Sequence, residues 1–178
     1  MPMTSGYSSR HPVGGFTLIE MLMVLVIVGI MTAIALPAMR THLANADIRG
    51  VAEEMRSGLE VARTEAIRRN TAVNFVRNGV GWTVVVPGAG PGGTDLTVAT
   101  RAPRQAQVTV TADVDTIAYG GSGWTTPFAS SMNINLQSPS IGQCRPTGGI
   151  NCLNVIAAGG GLVRSCDPAA VSGSSTAC

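Results

Sequence analysis

The sequence predicts an α+β fold: a long N-terminal α-helix, transmembrane in its first half and amphipathic in its second, packed on an antiparallel β-sheet domain. Three observations lead there. The chain is apolar from Phe16 to Met39, apolar residues then recur every three or four positions from Ile48 to Ala66, and after Asn70 short β-branched segments bounded by Gly, Pro or Asn take over. At 178 residues, 45% of them hydrophobic, the chain has room for one ordinary domain and an attached segment.

The apolar run is interrupted only by Thr17, Glu20, Gly29 and Thr32. As a helix of roughly 24 residues it reaches across a hydrocarbon core of about 30 Å. Beyond Arg40 the residues Ile48, Val51, Met55, Leu59, Ala62 and Ala66 mark one face, while Arg49, Glu53, Glu54, Arg56, Glu60, Arg63, Arg68 and Arg69 mark the other. No Gly-Pro break separates the halves, so one helix is predicted from Phe16 to Asn70. Pro37 removes a hydrogen bond to the carbonyl of Ala33 and, with Gly29, predicts a bend or a weak segment.

The segments Ala72 to Arg77, Gly81 to Val86, Thr94 to Thr100 and Gln107 to Thr111 read as strands. So do Thr116 to Tyr119, Met132 to Leu136, Cys152 to Ala157 and Leu162 to Cys166. Asn78-Gly79 is a hairpin signal between the first two. The stretches Gly88 to Gly93 and Gly120 to Gly123 read as turns or flexible loops. Trp82 and Trp124 are expected to anchor the β core rather than to stack on bases or sugars.

Charge and composition exclude several functions. Net charge is +2, and all twelve basic residues are Arg. That balance supplies no strong pull towards nucleic acid or anionic lipid. With no Lys, the Gly-rich stretch from Gly88 cannot be a Walker A loop. The only histidines, His11 and His42, lie outside the β domain, which rules out a His-based catalytic triad there. No enzyme activity and no cofactor are expected. Asp113 and Asp115, alternate residues that would face one side of a strand, could hold a cation, but a solvated edge is the commoner explanation. Arg101, Arg104, Arg145 and Arg164 offer a basic strip for phosphate backbones, without the Lys or interleaved aromatics that usually accompany one.

Cys144, Cys152, Cys166 and Cys178 cluster in the last fifth of the chain with no C-x-x-C pair and no neighbouring His, so no metal site is expected. Two disulfides in an oxidising compartment fit better. Three pairings are open, of which Cys144 with Cys152 and Cys166 with Cys178 closes the shortest loops.

Glu20 poses the central question. An acid at the bilayer centre costs about 2.5 to 3.5 kcal/mol on insertion scales, though less near the interface. A cleavable signal peptide fits poorly, because the run is too long and Arg10 is the only preceding charge. A plain membrane anchor leaves Glu20 unexplained, and a buried soluble helix has too little chain to wrap it. A cut between Gly15 and Phe16 resolves the matter. Phe16 then carries a new ammonium, and Glu20 lies one helical turn away on the same face. Between two parallel chains staggered by about a turn, carboxylate and amine can meet where an unpaired charge is penalised most, which makes Glu20 a register device.

Gly15-Phe16-Thr17-Leu18-Ile19-Glu20, after a short leader and before an apolar helix containing Pro37, resembles the class III signal of type IV prepilins and type II secretion pseudopilins. The resemblance implies that a prepilin peptidase cuts after Gly15 and methylates the Phe16 amine. It implies that Glu20 neutralises the Phe16 amine of a neighbouring subunit during assembly, so the partners are other pilin or pseudopilin subunits meeting through their N-terminal helices. It also implies a single pass through the bacterial inner membrane, with the leader in the cytoplasm and the C-terminal domain in the periplasm. Residues 1–15 are then the leader, 16–39 the transmembrane and assembly helix, 40–70 its amphipathic half, and 71–178 the β-rich domain. The helix, the strands and Gly81-Trp82-Thr83-Val84-Val85-Val86 after an Asn-Gly turn are similar to the domain shared by the H-type pseudopilin and FimT/FimU minor pilins. Some relatives bind DNA through a C-terminal motif resembling Gly-Arg-x-Arg. Here the counterpart is Gly159-Gly160-Gly161-Leu162-Val163-Arg164-Ser165-Cys166, with Leu162 where the first Arg is often found, and only Arg164 remains, which disfavours DNA as a partner.

Overall fold

The computed structural model describes residues 15–103, 107–128 and 130–178. The leader up to Gly14, and Arg104 of the basic strip, lie outside the described residues. Helix α1 runs Leu18–Arg69 and continues through Gly29 and Pro37. It starts two residues later than the sequence suggests. Asn70, with a φ of 49°, ends it in the left-handed conformation that Asn tolerates. Two compact units divide at Ala38 and Met39.

Among the described residues, the unit from Met39 onward has nine strands in two antiparallel sheets. The elements are β1 (Val73–Asn78), β2 (Gly81–Val86), β3 (Leu96–Arg101), β4 (Thr109–Ala112), β5 (Thr116–Tyr119), β6 (Thr125–Thr126), β7 (Met132–Gln137), β8 (Leu153–Ala157) and β9 (Val163–Cys166). One sheet has the order β3-β2-β1-β5-β6 and the other β4-β7-β8-β9. β1 and β2 form the hairpin marked by Asn78-Gly79, with Asn78 opposite Gly81 and Gly79 at positive φ.

The helix face read from its period forms the core. Ile48, Val51, Met55, Leu59, Ala62 and Ala66 are all fully buried, each large one contributing about 1.5 to 3 kcal/mol. Opposite them lie alternate strand residues, Val73 and Phe75 of β1, Ile117 and Tyr119 of β5, and Met132, Ile134 and Leu136 of β7. Burial pushes the Tyr119 phenol up to about 12. On the solvent side Arg68 and Arg69 both bond Glu65, at 2.7 and 2.8 Å, and hold its carboxyl down to about 2.

Glycines press two segments together at the last turns of α1. A β-carbon on Gly161, at φ 79°, would stand 2.0 Å from the carbonyl oxygen of Gly123. Arg63 Nε donates to that same carbonyl oxygen at 3.1 Å. Thr125 donates to the Gly159 oxygen from its backbone and its hydroxyl, at 3.1 and 3.0 Å. Gly120 to Gly123 is therefore a packed turn rather than a loose linker.

Candidate functional site

The candidate site is the start of α1. Gly15, Phe16 and Thr17 precede the helix, and Phe16 is 78% exposed. A β-carbon on Gly15 would meet nothing within 4 Å. Because the helix starts at Leu18, Thr17 takes the N-cap position, and its hydroxyl accepts the Glu20 N–H at 3.3 Å. Thr17 and Glu20 thus have the spacing of a capping box, a helix-start signal carried by Thr17-Leu18-Ile19-Glu20. In the first turn an acid also gains about 0.3 to 1 kcal/mol from the helix dipole. Phe16, lying outside the helix, does not share a helical face with Glu20 in the uncut chain.

The Glu20 carboxylate itself has no hydrogen-bond or ion-pair partner among the described residues. Around it every residue from Phe16 to Arg40 is exposed. The most apolar part of this helix has a mean hydropathy of 2.6 with none of it buried, which is long and apolar enough to cross a membrane. Thr32 satisfies its hydroxyl within the helix by donating to the Val28 oxygen at 2.7 Å. Pro37 lies within α1, in the same unit as Glu20.

The remaining candidates lie in the β-rich unit. Cys144 is joined to Cys152, and Cys166 to Cys178. The first bridge closes a loop whose Asn151 N–H donates to Asn45 Oδ1 of α1 at 2.8 Å. The second ties the chain end to β9, where Arg164 donates to the Cys178 oxygen at 3.5 Å. Arg101 is not free for a basic strip, since it pairs with Glu54 at 3.0 Å.

Two expectations are corrected. Asp113 and Asp115 do not alternate along a strand but lie in the connection between β4 and β5. Asp115 pairs with Arg77. Burial opposes ionisation of Asp113, yet N–H donors from Asn133 and Val114 outweigh it and hold its carboxyl below the usual range. Those donors occupy the oxygens a cation would need. Trp124 does not anchor the core either: it is 53% exposed and packs with its ring tilted against that of Phe128, itself exposed, at 5.3 Å between centroids. Trp82, by contrast, is buried against Phe75 at 6.1 Å.

A model of the prokaryotic N-terminal methylation motif matches residues 10–36, the stretch that contains Gly15, Phe16 and Glu20. The family model described as type II transport protein GspH matches residues 51–159. The chain belongs to the GspH family. GspH-family chains are minor pseudopilins and pilins, structural subunits that assemble with other such subunits. This GspH-family member carries a membrane-anchoring apolar helix ahead of its C-terminal domain.

Solved structures agree on the architecture. The type IV minor pilin FimU of Pseudomonas aeruginosa strain PAO1 is similar at 16% identity and a TM-score of 0.54, over 67% of this chain and 87% of that one. A second crystal form of FimU gives 14% identity and 0.52, over 66% and 90%. At such identities the likeness concerns the fold, one long helix packed on antiparallel sheets. Among curated proteins none matches the chain.

Proposed function

We propose that this GspH-family chain is made as a prepilin, cut by a prepilin peptidase between Gly15 and Phe16, and methylated on the new Phe16 amine. Residues 1–15 serve as the leader and 16–39 as the transmembrane assembly helix. Residues 40–70 are its amphipathic half, and 71–178 the periplasmic domain. The chain waits in the bacterial inner membrane as a single-pass protein and then enters a type IV pilus or a type II secretion pseudopilus. The same physics serves both machines. Its mechanism is association and not turnover.

One observation carries the reading. Glu20 is a lone carboxylate, without a partner among the described residues, in the first turn of an exposed apolar helix. A neighbouring subunit's Phe16 ammonium supplies the missing charge, and the contact fixes the stagger between adjacent helices. The apolar face from Leu18 to Met39 drives helix packing, and the β-rich domain selects neighbours.

The Thr17 hydrogen bond favours a second reading, in which Glu20 only completes a helix cap. That reading explains the acid without any cleavage. Mass spectrometry of the mature N-terminus separates the two. Methyl-Phe16 at the N-terminus is the expected result. A chain that still begins at Met1 in assembled material, or one cut near Ala35, contradicts it.

A further inference from the structure

Arg40, Leu43, Ala44 and Asp47 stand at positions i, i+3, i+4 and i+7 of α1 and form one stripe. With Gln107 and Ile141 they line an open groove of about 520 Å³, a size that holds small ligands. All six belong to the unit that starts at Met39. Neither Arg40 nor Asp47 has an ion-pair or hydrogen-bond partner among the described residues. Met39 and Leu43 remain 59% and 62% exposed, so lipid-compatible surface continues past Arg40.

The order of the charges is informative. Arg40 directly follows the apolar run, and Asp47 comes seven residues later, roughly 10 Å along the helix. A cation close to the hydrocarbon boundary and a carboxylate further out complement a headgroup whose phosphate lies near the glycerol and whose amine lies beyond it. We propose that this groove seats a zwitterionic phospholipid bearing a primary amine. The Arg40 guanidinium binds its phosphate, which it meets with two parallel N–H donors. Asp47 accepts from its ammonium, and Leu43, Ala44 and Ile141 cover the glycerol and upper acyl carbons. An anionic headgroup without an amine leaves Asp47 unpaired, and a choline headgroup brings a cation with no N–H to donate. The inference rests on the membrane-anchored reading of the apolar run.

The test uses the full-length chain in vesicles containing equal amounts of phosphatidylethanolamine, phosphatidylglycerol and phosphatidylcholine. Native mass spectrometry after mild detergent extraction counts the lipids retained. The proposal expects phosphatidylethanolamine to be retained about threefold more often than either other lipid, as a partly exposed ion pair allows. Asp47→Asn should abolish that preference, Asp47→Glu should keep it, and Arg40→Gln should lower retention of all three. Equal retention of the three lipids by the parent chain overturns the proposal, as does an unchanged preference in Asp47→Asn. Carbonate extraction of the same vesicles separates the levels. A chain that stays inserted but shows no preference removes only the lipid seat, whereas a chain released by carbonate removes the anchoring reading and the seat with it.

Discussion

Gly58 of α1 lies directly beneath the indole of Trp82, so that a β-carbon at position 58 would stand 2.6 Å from the ring carbons and 2.8 Å from the Phe75 ring. The helix can approach the β1-β2 hairpin this closely only because that position lacks a side chain. Gly58→Ala should therefore destabilise the protein by about 1 to 3 kcal/mol through overpacking, although alanine is the better helix former. Thermal melts of parent and variant measure it. A neutral or raised melting temperature would show that the indole moves aside without cost.

Gly161 and Gly79 both adopt positive φ, but only Gly161 faces another backbone, the Gly123 carbonyl. Alanine at either position incurs the left-handed strain of about 1 to 2 kcal/mol. Gly161→Ala should lose more than Gly79→Ala, because the clash is added to the strain. Denaturant titrations of the two variants give the difference directly, and equal losses would contradict the packed-turn account.

Glu65 is held at about 2 by Arg68 and Arg69, below its ordinary value of 4.5. A depressed carboxyl contributes stability that is present above 4.5 and fades as pH falls towards 2. Because Arg68 is 60% exposed, solvent screens the interaction and the contribution stays under about 1 kcal/mol. Glu65→Gln should lower stability slightly at neutral pH and flatten its fall between pH 4.5 and 2. Stability against pH for the two proteins tests both statements.

The sequence carried the helix and most strands because burial imposes its period on them. Ile48 to Ala66 had to repeat at three and four to face the sheets, and Met132, Ile134 and Leu136 had to alternate. What it could not show was how strands from distant parts of the chain divide between sheets. β1 pairs with β5 although three strands intervene in the chain, and one of those, β4, joins the other sheet. The two-residue strand β6 was too short to carry a pattern. Trp124 misled because large apolar residues are not always inside. Gly120 to Gly123 read as a turn or a flexible loop, since composition cannot tell a flexible glycine from one pressed against another backbone, as Gly123 is against Gly161. At the candidate site the isolated acid was plain. The Thr17-x-x-Glu20 cap was equally visible, as a hydroxyl three residues ahead of an acid at the start of an apolar helix. The groove beside Arg40 and Asp47 had a visible stripe, yet Gln107 and Ile141 come to it from far along the chain.

The charge of Glu20 and its place in a helix cap are separable. Glu20→Gln keeps the capping-box spacing with Thr17 and removes only the negative charge. The deciding measurement is the fraction of this chain found in pelleted filaments relative to the membrane, compared between parent and Glu20→Gln at equal expression. Charge compensation between subunits predicts at least a tenfold fall for Glu20→Gln, because the neighbour's ammonium is left unpaired in apolar surroundings. Filaments that incorporate Glu20→Gln as well as the parent would contradict it.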